Sequence, residues 1–244
     1  MFVDAHNHMD FYGKNLKKAL DIIEKDDIVT LGCSMDLKSY IFTKKISAEN
    51  ENIIPCFGIH PWEAYKNCGD LDGFDGYVKE CRAIGEIGLD YYWVLESEKY
   101  PKMGRVFEYF LDRAKYYDKI VNIHTKGAEE KILEYIRSYK LRTPIIHWYS
   151  GKVDTLKELL KLGCYFTISV DIGYSRLTDE IVKILPMDRI LTETDGPTSL
   201  EWVNKEYGYP CEVENIVKKI SSIKGTQYEE VKDKISSNFN RFKL

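Results

Sequence analysis

The residues that could do chemistry in this chain stand where apolar runs end. Asp4-Ala5-His6-Asn7-His8 closes the first run. Side chains two apart on a strand point the same way, so His6 and His8 can both offer imidazole nitrogens to one cation. Gly85-Glu86-Ile87-Gly88-Leu89-Asp90 puts Glu86 inside an apolar stretch. An unpaired carboxylate is costly to bury there; a metal ion would neutralise it most effectively, and a core Arg or Lys is the plainer alternative. His124, in Asn122-Ile123-His124-Thr125-Lys126, and His147, in Ile146-His147-Trp148-Tyr149-Ser150-Gly151, add one imidazole each, though either could be a hydrogen-bonded core histidine. Asp195 ends Thr192-Glu193-Thr194-Asp195-Gly196-Pro197, as a ligand or as a turn former before Gly-Pro. His6, His8, Glu86, His124, His147 and Asp195 suffice together for two divalent ions. Zinc, manganese, magnesium, iron and nickel all stay open for such a donor set.

These residues need elements to hold them. Eight apolar, β-rich runs recur at 2–5, 28–33, 53–59, 83–89, 120–123, 144–146, 164–170 and 189–194. Their near-continuous apolar character suits strands covered on both faces. Between them lie stripes of helical period: Leu16, Ala19, Leu20 and Ile23; Val106, Phe107, Phe110, Leu111 and Ala114; Val153, Leu156, Leu159 and Leu160; Ile181, Val182 and Leu185 before Pro186. Such stripes bury one helix face against a sheet. Thr226-x-x-Glu229 reads as a capping box opening a last helix. The alternation predicts an α/β fold, a single-domain (β/α)8 TIM-like barrel over residues 1–244, with an open doubly wound sheet as the competitor. All five histidines, His60 among them, fall at or just past the end of a predicted strand. In a parallel barrel the C-terminal strand ends share one mouth, where chemistry sits.

Composition narrows the class. The 244 residues carry 35 Lys+Arg against 39 Asp+Glu, a formal net charge of −4, which argues against a broadly basic surface that coats nucleic acid. The start of the chain lacks a basic segment before an apolar one, and no apolar run approaches membrane-spanning length. Six dispersed cysteines without a C-x-x-C pair read as reduced thiols and predict a cytoplasmic protein.

In their order along the chain, D-A-H-N-H, Gly58-Ile59-His60-Pro61-Trp62, Gly85 to Tyr92, His124 to Ala128, His147 to Gly151, Glu193 to Pro197 and Asn238-Phe239-Asn240-Arg241-Phe242 resemble the TatD family of metal-dependent hydrolases, within the amidohydrolase superfamily. The resemblance spans essentially the whole chain. It implies a deoxyribonuclease-like phosphodiesterase acting on a DNA end or a small phosphorylated substrate, with a hydroxide activated by two metals. It further implies His6 and His8 on one metal, His124 and His147 on the other, Glu86 bridging, and Asp195 on the first metal, orienting or deprotonating the nucleophile. His60 is implied as a phosphate contact, and Lys126 could add a point charge to a phosphate. Two divalent ions (+4) against Glu86 and Asp195 (−2) would leave such a mouth about +2, so an acidic protein can still attract a phosphodiester. The chain departs from the family pattern at Lys126, at Trp148-Tyr149 and at Gly208-Tyr209-Pro210, none of them a ligand. Trp62, Tyr91, Tyr92, Trp148 and Tyr149 lie beside these motifs and could stack on an unpaired base or simply pack. No membrane and no obligate protein partner is implied. The competing readings are a carboxylic ester or amide hydrolase, such as an aminoacyl-tRNA deacylase or small-molecule amidohydrolase, and a non-enzymatic metal-stabilised scaffold.

Overall fold

The structure is a computed structural model that describes residues 1–142 and 144–244. Its strands are β1 (Phe2–Asn7), β2 (Ile28–Cys33), β3 (Ile53–Phe57), β4 (Ala83–Gly88), β5 (Ile120–His124), β6 (Ile145–Ile146), β7 (Tyr165–Ile168) and β8 (Ile190–Thr192). They form one eight-stranded sheet in chain order, with a helix or helices in each connection. The registered pairs run parallel, and β8 packs back on β1, where the Asp195 amide donates to the His6 carbonyl at 2.9 Å. This is the topology of a (β/α)8 barrel, and every predicted strand is found. Contacts divide the chain into two compact units: Met1–Gly32 with Phe42–Ile54 and Phe166–Leu244, and Cys33–Ile41 with Pro55–Tyr165.

In the first unit the helix Leu16–Lys25 buries Ala19 and Ile23 against Met9, Tyr12 and Ile53, with Leu16 and Leu20 flanking them. The helix Arg176–Ile184 starts on Ser175, whose hydroxyl accepts from the Thr178 amide at 3.2 Å, and buries Ile181 and Val182. The last helix, Tyr228–Asn240, begins one residue later than the predicted capping box requires. Its cap is Gln227, which leaves Glu229 at the second helical position instead of the third. The Thr226 amide is already committed to the Ser221 carbonyl at 3.2 Å, in the turn made by left-handed Gly225. That helix is tied to β8 by Asn238, whose Nδ2 donates to the Met187 and Ile190 carbonyls at 2.7 and 2.8 Å.

In the second unit the helix Tyr100–Tyr116 buries Val106, Phe107, Phe110, Leu111 and Ala114, as its stripe predicts. β4 is buried along its whole length, and two glycines let its neighbour come close. A Cβ on Gly85 would stand 2.8 Å from the Cβ of Asn122, and one on Gly88 would run into the His124 carbonyl. Gly88 also has φ +149°, which L side chains rarely adopt. Gly88→Ala should therefore destabilise the fold by at least about 2–3 kcal/mol, read from denaturant unfolding; a loss under about 0.5 kcal/mol would mean β5 shifts freely. Among the described residues, no helix is long and apolar enough to cross a membrane.

Candidate metal centre

Strand ends position the ligand-type side chains. His6 lies in β1 and His8 one residue beyond it; Asp195 lies three residues past β8. All three are buried. The two Nε2 atoms are 3.3 Å apart, and Asp195 Oδ1 lies 3.4 Å from His8 Nε2 and 3.8 Å from His6 Nε2. The other oxygen, Oδ2, accepts from the buried Ser199 hydroxyl at 2.7 Å, so Oδ1 is turned to the imidazoles. Asp195 is held in the left-handed region at φ 45°, where a non-glycine backbone is strained and persists only when its surroundings fix it.

Behind this group sits Asp4. Its Oδ1 accepts from the Thr194 amide at 2.8 Å, and its Oδ2 from the Thr194 hydroxyl at 2.6 Å and Asn7 Nδ2 at 3.0 Å. Burial pushes the Asp4 carboxyl up to about 6, with those hydrogen bonds opposing the rise. The network laces the end of β1 to the residues after β8, fixing the imidazoles relative to Asp195.

The second unit carries its own group. Glu86 lies in β4 and His124 ends β5, while His147 stands one residue past β6. Glu86 Oε1 lies 2.7 Å from His124 Nδ1, 3.5 Å from His147 Nε2 and 3.4 Å from His60 Nε2. His60, predicted as a phosphate contact, thus comes beside Glu86. Its Nδ1 accepts the Trp62 amide at 3.1 Å, so in the neutral ring Nε2 carries the proton and is a donor instead of a lone pair for a cation.

Asp90 was not among the predicted site residues, yet its carboxylate is central here. Oδ2 accepts from His124 Nε2 at 3.0 Å and Trp62 Nε1 at 2.8 Å; Oδ1 accepts from the Tyr92 and Trp93 amides at 2.9 and 2.8 Å. Burial alone would raise the Asp90 pKa, but His124 and the N–H donors bring it down to about 2. Burial likewise opposes the charged form of His124, and the hydrogen bonds to Asp90 and Glu86 overcome it, carrying its pKa to about 9. A carboxylate on one ring nitrogen, with the other facing the ligand position, is the arrangement that fixes the orientation of metal-binding histidines. The available signal was position: Asp90 stands directly after the predicted strand 83–89 that carries Glu86.

The donor chemistry fits divalent cations. Within the first unit His6, His8 and Asp195 bring three candidate ligand atoms within 4.8 Å of one another, all buried. Within the second, Glu86 Oε1 lies 2.7 Å from His124 Nδ1 and 3.5 Å from His147 Nε2, with His60 beside them as a hydrogen-bond donor. A cation would compensate carboxylates that are otherwise costly to bury. Lys126 Nζ donates to Ser150 Oγ at 3.0 Å and lies 5.8 Å from the Trp148 ring centre. Of the aromatic candidates, Tyr149 is buried with its hydroxyl bound to the Lys152 carbonyl at 2.7 Å, which removes it as a stacking surface.

Buried imidazole and carboxylate groups at the carboxyl ends of parallel strands in a (β/α)8 topology define the class: a barrel metal-dependent hydrolase. The profile of the TatD-related DNase family matches residues 3–243, and the chain belongs to that family. It is 31% identical over 251 residues, covering 99% of this chain and 96% of the relative, to an uncharacterized metal-dependent hydrolase of Methanocaldococcus jannaschii. It is 24% identical over 253 residues, covering 97% and 92%, to the Homo sapiens protein named deoxyribonuclease TATDN3. The fold matches the crystal structure of the TatD homologue YJJV from Escherichia coli, with TM-score 0.86 at 19% identity over 97% of this chain and 95% of that one. It also matches a TatD family hydrolase from Entamoeba histolytica, with TM-score 0.85 at 18% identity over 99% and 97%. The chain is a metal-dependent hydrolase.

Proposed function

We propose that this hydrolase cleaves phosphodiester bonds at DNA ends with two divalent ions, residues 1–244 working as one domain. The observation that carries this reading is the pair of buried donor groups, one in each unit, in a chain whose relatives include proteins named deoxyribonucleases. His6, His8 and Asp195 would hold one ion; Glu86, His124 and His147 the other. Divalent ions, when bound, supply Lewis acidity that acidifies a water and offsets charge on phosphoryl oxygens. Asp195 takes the water's proton at Oδ1, the oxygen that Ser199 leaves facing the imidazoles. His60 donates from Nε2 to a phosphate oxygen, and Lys126 adds a positive point charge to hold the same group. The six dispersed cysteines, four of them buried, support a reducing cytoplasmic setting.

The test is turnover of single-stranded DNA, RNA, a phosphomonoester and an aminoacyl ester, with metal content measured alongside. Shortening of DNA from an end is expected; activity confined to the ester would overturn the reading. Chelator-treated protein should lose hydrolysis and regain it with manganese or magnesium at two equivalents per chain. Full turnover in excess chelator, or saturation at one equivalent, would remove the two-ion proposal.

A further inference from the structure

Beside the second donor group lies a cavity of about 340 Å³, walled by Pro61, Trp62, Tyr65 and Trp93 and floored by Val94 and Met103. Its aromatic walls are unusually open to solvent: Trp62 and Tyr65 are each 37% exposed and Trp93 60%. Two of the walls are pinned to the candidate metal centre through one carboxylate. Asp90, which accepts from His124, also accepts the Trp62 indole N–H and the Trp93 backbone N–H. The His60 ring packs edge-on against Trp62, with centroids 4.7 Å apart. The cavity therefore begins where the donor group ends.

Its charge says what it suits. The two charged residues at its rim, Glu96 and Lys99, pair with each other at 2.9 Å, and Lys99 Nζ lies 4.7 Å above the Tyr65 ring. With no net charge of its own, the cavity offers little to a phosphate. It offers flat π-faces to a neutral planar ring and two polar groups to that ring's edge. Resting on the phosphodiesterase reading above, the geometry points to a subsite for one unpaired nucleobase of the substrate, stacked against Trp62 and Trp93 while its phosphate sits at the donor group. A base paired in a duplex hides both faces in its own stack and must be unstacked to enter. The subsite thus makes the preferred substrate a single-stranded or frayed end. Because every base has a π-face, it imposes little sequence preference.

The test uses the metal-loaded enzyme and short labelled oligothymidylates with phosphorothioate linkages at their ends to block cleavage, with binding read by fluorescence anisotropy. One oligomer keeps its terminal bases; its twin has abasic deoxyribose at both ends. The base-bearing oligomer should bind about tenfold more tightly. Trp93→Ala should bring it to the level of the abasic twin, and Trp93→Phe should restore much of the difference. Since Trp93 is largely exposed, its replacement does not threaten the fold. Equal binding of the twins, or a preference that survives Trp93→Ala, overturns the subsite while leaving the phosphodiesterase reading standing. If neither oligomer binds, both fall together.

Discussion

Replacing Asp195 by Asn is expected to lower hydrolysis by about 10²–10⁴-fold without unfolding the protein. The geometry shows why the two outcomes separate. Asp195 Oδ1 faces the imidazoles of His6 and His8, while Oδ2 meets the Ser199 hydroxyl. An Asn side chain fits the same space with its carbonyl oxygen towards the imidazoles. Its amide can donate to Ser199 Oγ, whose own hydrogen still reaches the Asp195 backbone carbonyl at 2.6 Å. What the variant loses is the negative charge and the capacity to take up a proton. Turnover should be compared at matched metal content, with thermal unfolding as the control. Full turnover in a metal-loaded Asn variant would show that another group is the base.

The fold was largely legible because its signals are local. Strand runs such as 83–89 and helix stripes such as Val106 to Ala114 follow from burial acting on residues close in sequence, and the structure repeats them. The capping box failed by one residue because the competing bond, Thr226 amide to Ser221 carbonyl, is a feature of the turn from the preceding helix and not of the Thr226-x-x-Glu229 spacing. Within the candidate site, histidines at strand ends were legible from the same periodicity. Residues that act behind the first contact were not. Asp4 opens a motif in which His6 and His8 draw the eye, and only the fold brings it to Thr194. Ser199 has no pattern of its own, and its role depends on a helix that begins just after Asp195. Asp90 stands just past the predicted strand 83–89 with no partner near it in sequence; its meeting with His124 needs β4 and β5 side by side.

Asp90 therefore carries the other large prediction. Its two oxygens accept from four N–H donors, those of His124, Trp62, Tyr92 and Trp93. Asp90→Asn cannot satisfy them: in either amide orientation one pair of donors faces an NH₂ group, and the negative charge beside the His124 ring is gone. Loss of such a partner typically costs about 10–100-fold in metal affinity. A second effect opposes this one. In the metal-free protein Asp90 and Glu86 hold the His124 pKa near 9, so below that pH a cation must displace a proton from the ring before it can bind there. Removing the Asp90 charge lowers that pKa and eases the displacement. The loss of metal affinity at the group of Glu86 and His124 should therefore be greatest at or above about pH 9 and smallest near neutrality. Calorimetric metal titrations of both proteins across that range separate the two effects. A loss of the same size at every pH would show Asp90 acting through packing alone, and unchanged affinity above pH 9 would remove it from the metal centre.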